Sequence, residues 1–144
     1  MCQQLHATSR ARPLAVSLVV PVTDMSRTDR RSDIPRPAIS PFVQRLVSWA
    51  YFPDEERRRE ALAAPRFDRD LPTKMPPTLI QTGQHDTLST EGKELAETLR
   101  SGGVENRYIE YPGADHDFYA SKPADRVEST LAEITAFFAS HLPR

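Results

Sequence analysis

Residues 78–111, TLIQTGQHDTLSTEGKELAETLRSGGVENRYIEY, decide the fold. TLIQTG (78–83) is a short apolar run of the kind a strand needs when a parallel sheet covers both its faces. HDTLS leads into a helix over about 90–101, with Leu95, Ala96 and Leu99 on one face. Ser89 reads as its cap and Gly102-Gly103 as its C-terminal stop. NRYIEY (106–111) is a further strand, followed by a loop over 111–119 and a last helix from about Pro123 to His141. In that helix Val127, Leu131, Ile134, Phe138 and Leu142 form an apolar stripe. Strand, helix, strand, helix is a βαβα unit, which predicts an α/β protein with a parallel sheet and right-handed crossovers.

Working back towards the N-terminus, AVSLVV (15–20) is a third strand, ended by Pro21. Residues 22–37 are polar and turn-rich. Ser40 then reads as an N-cap with Pro41 at the first helical position, where its missing N–H costs nothing. The helix PFVQRLVSWAYF (41–52) is apolar around most of its circumference, and Pro53 stops it. DEERRREALAA (54–64) reads as a short helix with acids before bases, as the helix dipole favours. Residues 65–77 are a loop bracketed by prolines, and 1–13 read as the tail of a helix followed by a basic loop. Residues 22–77 thus form an irregular and helical segment, and 78–144 the βαβα unit.

A chain of 144 residues is long enough for one domain with a real core. Net charge of −1 gives no electrostatic case for nucleic acid or an anionic membrane surface. No apolar run reaches membrane-spanning length. LAVSLVV (14–20) follows Arg10 and Arg12 but is short, and no small-residue cleavage site follows it, so a buried strand is the better reading than a secretion signal. Cys2 is the only cysteine, which excludes an intramolecular disulfide and a cysteine-based metal site and fits a reducing, cytoplasmic location.

Ligands of open parallel sheets bind at the carboxyl ends of strands. Asp86 lies just past TLIQTG and His116 just past NRYIEY, in YPGADHDFY (111–119). If those strands are neighbours, the carboxylate accepts a hydrogen bond from one imidazole nitrogen and leaves the other as a base. Two other readings stand beside this. His116 is a polar loop residue and Asp86 a helix-entry carboxylate, or His85, Asp86, Asp115, His116 and Asp117 hold a metal, although only two are imidazoles and their spacing matches no metal motif.

The stretch MPPTLIQTGQHDTLSTEGKELAETLRSGGVENRYIEYPGADHDFY resembles the C-terminal part of the α/β-hydrolases, most nearly the hormone-sensitive-lipase-like esterases. That family has an acid loop of the form D-P-L-x-x-E-G, matched here by Asp86, Leu88, Glu91 and Gly92, and an H-G-F loop about thirty residues on, matched by His116 and Phe118. VVPVTD (19–24) looks like the family's strand end Y-P-x-T-D. Thr87 and Asp117 depart from the pattern, standing where the family has proline and glycine. The resemblance implies the last three parallel strands of an α/β-hydrolase with flanking helices, and an enzyme that hydrolyses carboxylic esters of short to medium acyl chains without a cofactor or metal. Asp86 and His116 are then the acid and base of a triad. Glu91 has a structural job, and Gly92 allows the helix to approach its neighbours closely. His85 is a surface or supporting residue. Trp49, Tyr51 and Phe52, whose segment helps to form the family's cap, and Phe118 of the histidine loop are candidates for the substrate pocket; as residues alone, a stripe of aromatics is more often plain packing.

The family's nucleophile is a serine in G-x-S-x-G, preceded by an H-G-G-G-type oxyanion loop. None of the five glycines, Gly83, Gly92, Gly102, Gly103 and Gly113, flanks a serine at that spacing, and no nucleophile is assigned. In family order the serine precedes the strand at 15–20, so the expectation is of a truncated hydrolase, inactive alone, with MCQQLHA the end of the helix that the serine begins. The strand at 15–20 would then offer an exposed apolar edge for a protein partner or for self-association, and a non-catalytic remnant that binds a partner there is the alternative reading.

Overall fold

The computed structural model describes residues 12–121 and 123–143. The helix tail expected within residues 1–13 falls almost wholly outside them. In chain order the elements are β1 (Val16–Val19), α1 (Pro41–Tyr51), 3-10 turns at Arg57–Arg59 and Pro65–Phe67, the single-turn α2 (Leu71–Lys74), β2 (Thr78–Gly83), α3 (Ser89–Ser101), β3 (Asn106–Tyr111) and α4 (Ala124–His141). The three strands form one parallel sheet in the order β1-β2-β3, with Leu18 opposite Ile80 and Ile80 opposite Tyr108. β2 is central, and all six of its residues are buried. Among the described residues β1 has no second neighbour, and an apolar cleft lined by Val16, Leu18, Leu71, Met75, Leu95 and Phe138 runs beside it.

Alternation along β2 sends Ile80 to one side of the sheet, where it packs with Leu95, Ala96 and Leu99 of α3 and Leu71 of α2. α3 lies close against the strands because residue 92 is glycine: a Cβ there would sit 2.5 Å from Thr82 Cγ2. At the carboxyl ends of β2 and β3, Tyr111, Ala114 and Phe118 form a smaller cluster with Val19, Val20 and Ile109.

Five local expectations change. The loop expected over 65–77 contains the 3-10 turn at Pro65–Phe67 and the single-turn α2. Residues 54–64 form only the 3-10 turn at Arg57–Arg59 and further turns. So short a segment cannot sustain a helix by itself; its buried residues, Ala63 and Ala64, are adjacent at its end, and Arg58 turns back to donate to the carbonyls of Phe52 and Pro53. α3 begins at Ser89 itself with Leu88 in the cap position, so Ser89 caps nothing. α1 starts as expected, with Ser40 Oγ accepting from the Val43 N–H, but it lies with its polar side inward: only Gln44 and Ser48 are buried. α4 is rotated from its expected stripe. Thr130 and Phe137 are its buried residues, while Leu131 and Leu142 are 57% and 61% exposed, because the three strands cover only one arc of the helix.

Candidate active site

The loops that follow β2 and β3 are joined through the main chain. The Gln84 N–H donates to the Tyr111 carbonyl at 3.1 Å and the His85 N–H to the Ala114 carbonyl at 2.8 Å. This closeness requires Gly83, since a Cβ there would lie 2.6 Å from the Ala114 oxygen and 2.7 Å from the Asp115 oxygen. Gly113 takes φ +62°, in the left-handed region that glycine enters without strain, and turns the second loop back over the strand ends.

Those loops bring Asp86 and His116 together. His116 Nδ1 lies 3.2 Å from both oxygens of Asp86, whose side chain is fully buried. A carboxylate only accepts, so Nδ1 carries the hydrogen and Nε2 of the neutral ring carries the lone pair. Asp86 Oδ1 also accepts from the Leu88 N–H at 2.9 Å, so the carboxylate serves the entry of α3 as well as the imidazole. The His116 N–H donates to Asp115 Oδ1 at 2.7 Å, and Asp115 Oδ2 accepts from the Ala38 N–H, which fixes the loop against the segment before α1. His85 is turned away, with its Nδ1 2.8 Å from Asp33. Asp117 is exposed. Among the described residues no three metal-ligating side chains converge.

His116 forms part of the wall of a cavity of about 260 Å³ whose remaining surface is mostly apolar, from Val20, Val22, Met25, Val43, Val47 and Leu88. Trp49, Tyr51 and Phe52 do not line it. α1 presents Val43 and Val47 with Gln44 and Ser48, one turn apart in each pair, and Trp49 and Tyr51 lie on the outer arc, 59% and 75% exposed. Phe118 does not line it either: it is buried beneath the histidine loop, its ring 4.8 Å from that of Tyr111.

Three features of the site escape a reading of the sequence. Val20 has φ +47°, a conformation that costs a β-branched residue about 1–3 kcal/mol and is held here by packing at the end of β1. Gln44 donates to Thr87 from inside the cavity wall. Glu91, expected to have a structural job of unspecified kind, ties the two ends of the 23–30 loop to α3. Its Oε2 accepts from the N–H groups of Thr23 at 2.7 Å and Asp24 at 3.0 Å, and its Oε1 from Arg30 Nε at 2.6 Å. Both side chains of this pair are almost completely buried. Beside it, Arg27 donates to Glu94 and Asp29; the Glu94 bond holds the guanidinium still more firmly protonated, and the Arg27 bond holds the Asp29 carboxyl below the usual range. The only sequence signal for these contacts is an acid in the first turn of α3.

A three-stranded parallel sheet carrying an acid and a histidine on adjacent strand-end loops is the C-terminal architecture of an α/β-hydrolase. Residues 1–120 match the family described as having the alpha/beta hydrolase fold, and the chain belongs to it. Its structure is similar to a carboxyl esterase from the mycorrhizal fungus Tuber melanosporum, with a TM-score of 0.85 at 21% identity, covering 99% of this chain and 48% of that one. It is likewise similar to a thermostable esterase from Pseudomonas putida, with a TM-score of 0.82 at 20% identity over 99% of this chain and 47% of that one. A hormone-sensitive lipase from a metagenome library gives 0.77 at 20% identity, over 99% and 49%. At these identities the likeness is one of fold, and the chain spans about half the length of the solved structures it matches. No curated protein sequence matches it. Among the described residues, no helix is long and apolar enough to cross a membrane.

Proposed function

We propose that this chain supplies the acid and base of a serine carboxylesterase acting on esters of short to medium acyl chains. In this reading His116 Nε2 takes the proton of a serine hydroxyl as it attacks the ester carbonyl, then returns it to the leaving alcohol. Asp86 holds the ring in the required tautomer and stabilises the imidazolium that forms between those steps. The serine and the oxyanion donors belong to residues upstream of β1 in the complete enzyme. The observation that carries the reading is the 3.2 Å approach of both Asp86 oxygens to His116 Nδ1 in the wall of a mostly apolar cavity. The mostly apolar lining of the cavity suits an acyl or alcohol group.

The test is hydrolysis of p-nitrophenyl butyrate by the protein as its own cells make it, compared with its His116→Ala variant. We expect kcat to fall by about 10³-fold or more, with folding unchanged, as removal of a triad member does. Hydrolysis that survives His116→Ala undiminished would remove His116 from the chemistry and the proposal with it.

A further inference from the structure

Asp86 opens a turn. The Ser89 N–H donates to the Asp86 carbonyl at 2.9 Å, and Leu88, with φ −98° and ψ −1°, has the third-position backbone of a type I turn. Thr87 is therefore the second residue of that turn. Proline is favoured at this position because its ring sets φ at about −65°, and proline is what the resembled acid loop carries there. A threonine leaves the angle to its surroundings, and here the surroundings are specific. Thr87 is 6% exposed. Its hydroxyl donates to the Ile39 carbonyl at 3.3 Å and accepts from Gln44 Nε2, which uses its single hydrogen and its oxygen together. Ile39 and Gln44 stand 48 and 43 residues earlier in the chain, and both belong to the wall of the cavity beside His116. One side chain fastens the turn that carries the acid to that wall.

We propose that Thr87 is a positioning residue for the acid–base pair: its hydroxyl supplies by tertiary contact the restraint that a proline ring supplies locally, and so sets where Asp86 meets His116. The effect on turnover, though not the effect on geometry, rests on the esterase reading. Thr87 acts through Asp86. Asp86 Oδ1 accepts from the N–H of Leu88, the next residue of the turn, so a turn that shifts carries the carboxylate with it. The imidazole must follow, because its Nδ1 lies 3.2 Å from both carboxylate oxygens. The cavity wall then matters to the placement of the pair only as long as residue 87 carries a hydroxyl for it to grip.

The experiment reads the His116 ring by its imidazole NMR resonances, with kcat and KM for p-nitrophenyl butyrate beside them, on the protein as its own cells make it. Thr87→Val removes the hydroxyl and keeps the branched shape, Thr87→Ser keeps the hydroxyl, and Thr87→Pro replaces it with the local restraint. We expect Thr87→Val to shift the ring resonances and to lower kcat about tenfold with KM little changed, a milder loss than the roughly 10²-fold of a 1 Å misplacement. Thr87→Ser and Thr87→Pro should keep both readouts close to those of the unaltered protein. Valine and proline both lack the hydroxyl, so a role in stability alone would not set them apart. Gln44→Met, which removes the amide, should displace the ring when residue 87 is threonine and leave it in place when Thr87→Pro is also present. Resonances that ignore Thr87→Val, or that move as far with Thr87→Pro, overturn the proposal. Should Thr87→Val fail to fold, the two Gln44→Met proteins decide alone, and equal displacement in both, or none in either, overturns it. The esterase reading fails separately: a ring that follows residue 87 as described, with hydrolysis indifferent to His116→Ala, would sink that reading and leave this one standing.

Discussion

The two sides of the candidate site are fastened by different means. On one side, the loops after β2 and β3 are joined by main-chain hydrogen bonds, from Gln84 to Tyr111 and from His85 to Ala114. Asp86 and His116 hang from that frame, and few side chains decide where they go. On the other side, residues 22–30 close the cavity with two main-chain bonds to the neighbouring 63–66 turn and are otherwise held by side chains, chief among them the buried carboxylate of Glu91, which collects two backbone N–H groups and Arg30. A frame held by its backbone fails where a main-chain approach is obstructed. A segment held mainly by side chains fails when the central one goes.

The largest effect should therefore come from Glu91→Ala. It leaves Arg30, whose side chain is 3% exposed, without its carboxylate and the Thr23 and Asp24 N–H groups without acceptors. Breaking a buried pair in this way costs about 3–5 kcal/mol. Urea unfolding should show the loss, and amide exchange at Thr23 and Asp24 should quicken more than exchange within β2. A loss below about 1 kcal/mol would mean that Glu91 behaves like a surface pair and that the segment is held some other way.

Gly83→Ala is the matching attack on the backbone-held side. Its Cβ would meet two main-chain oxygens at 2.6 and 2.7 Å, and main chain cannot swing aside as a side chain can. We expect about 1–3 kcal/mol of destabilisation, with the 114–116 loop displaced. Under the proposed esterase reading, a shift of this kind should lower kcat by about 10²-fold, given how steeply catalysis depends on placement. Unchanged His116 ring resonances in the variant would show that the loop absorbs a methyl group and that the glycine is not what sets the approach.

This contrast also explains what could be read in the sequence. β2, α3 and β3 follow from period and punctuation, and Asp86 and His116 become candidates because strand ends are where a parallel sheet gathers its chemistry. Ser40 and Pro41 announce the start of α1 by local hydrogen bonding alone. The orientation of α1 is another matter. With Phe42, Val43, Leu46, Val47 and Trp49 spread round the helix, no stripe marks the inner side, and Gln44 and Ser48 go inward because Thr87 and Met25 are there to meet them. The grip of Glu91 on Arg30 joins residues 61 apart in the chain, and the one that reaches Thr23 spans 68. No local pattern encodes a contact of that range. The α4 stripe misleads for a related reason: periodicity gives an apolar arc, and only the neighbouring strands determine which part of it is covered.

The smallest effect lies at the edge of the backbone-held side, and it depends on pH. Tyr108 of β3 lies 2.9 Å from Thr82 Oγ1 and donates to Glu110 Oε1 at 3.0 Å. Burial, opposed by the Thr82 contact and reinforced by the bond to Glu110, pushes the phenol up to about 12 from its usual 10.0. A folded-state value above the unfolded one means that the native protein keeps a proton the unfolded chain gives up. The contribution to stability is therefore fully present below about pH 10 and is lost as the pH rises towards about 12. The ring is only half-buried, so solvent screening should hold the effect below about 1 kcal/mol. Urea unfolding at about pH 9 and about pH 11.5, before and after the phenol's ionisation in the unfolded chain, measures it against Tyr108→Phe, which cannot ionise. The difference between the two proteins should shift against the native chain as the pH rises. Were it the same at both pH values, the Tyr108 phenol would be titrating as it does in water, and the side-chain contacts at this end of the sheet would be too loose to hold a proton that the main chain beside them has no part in holding.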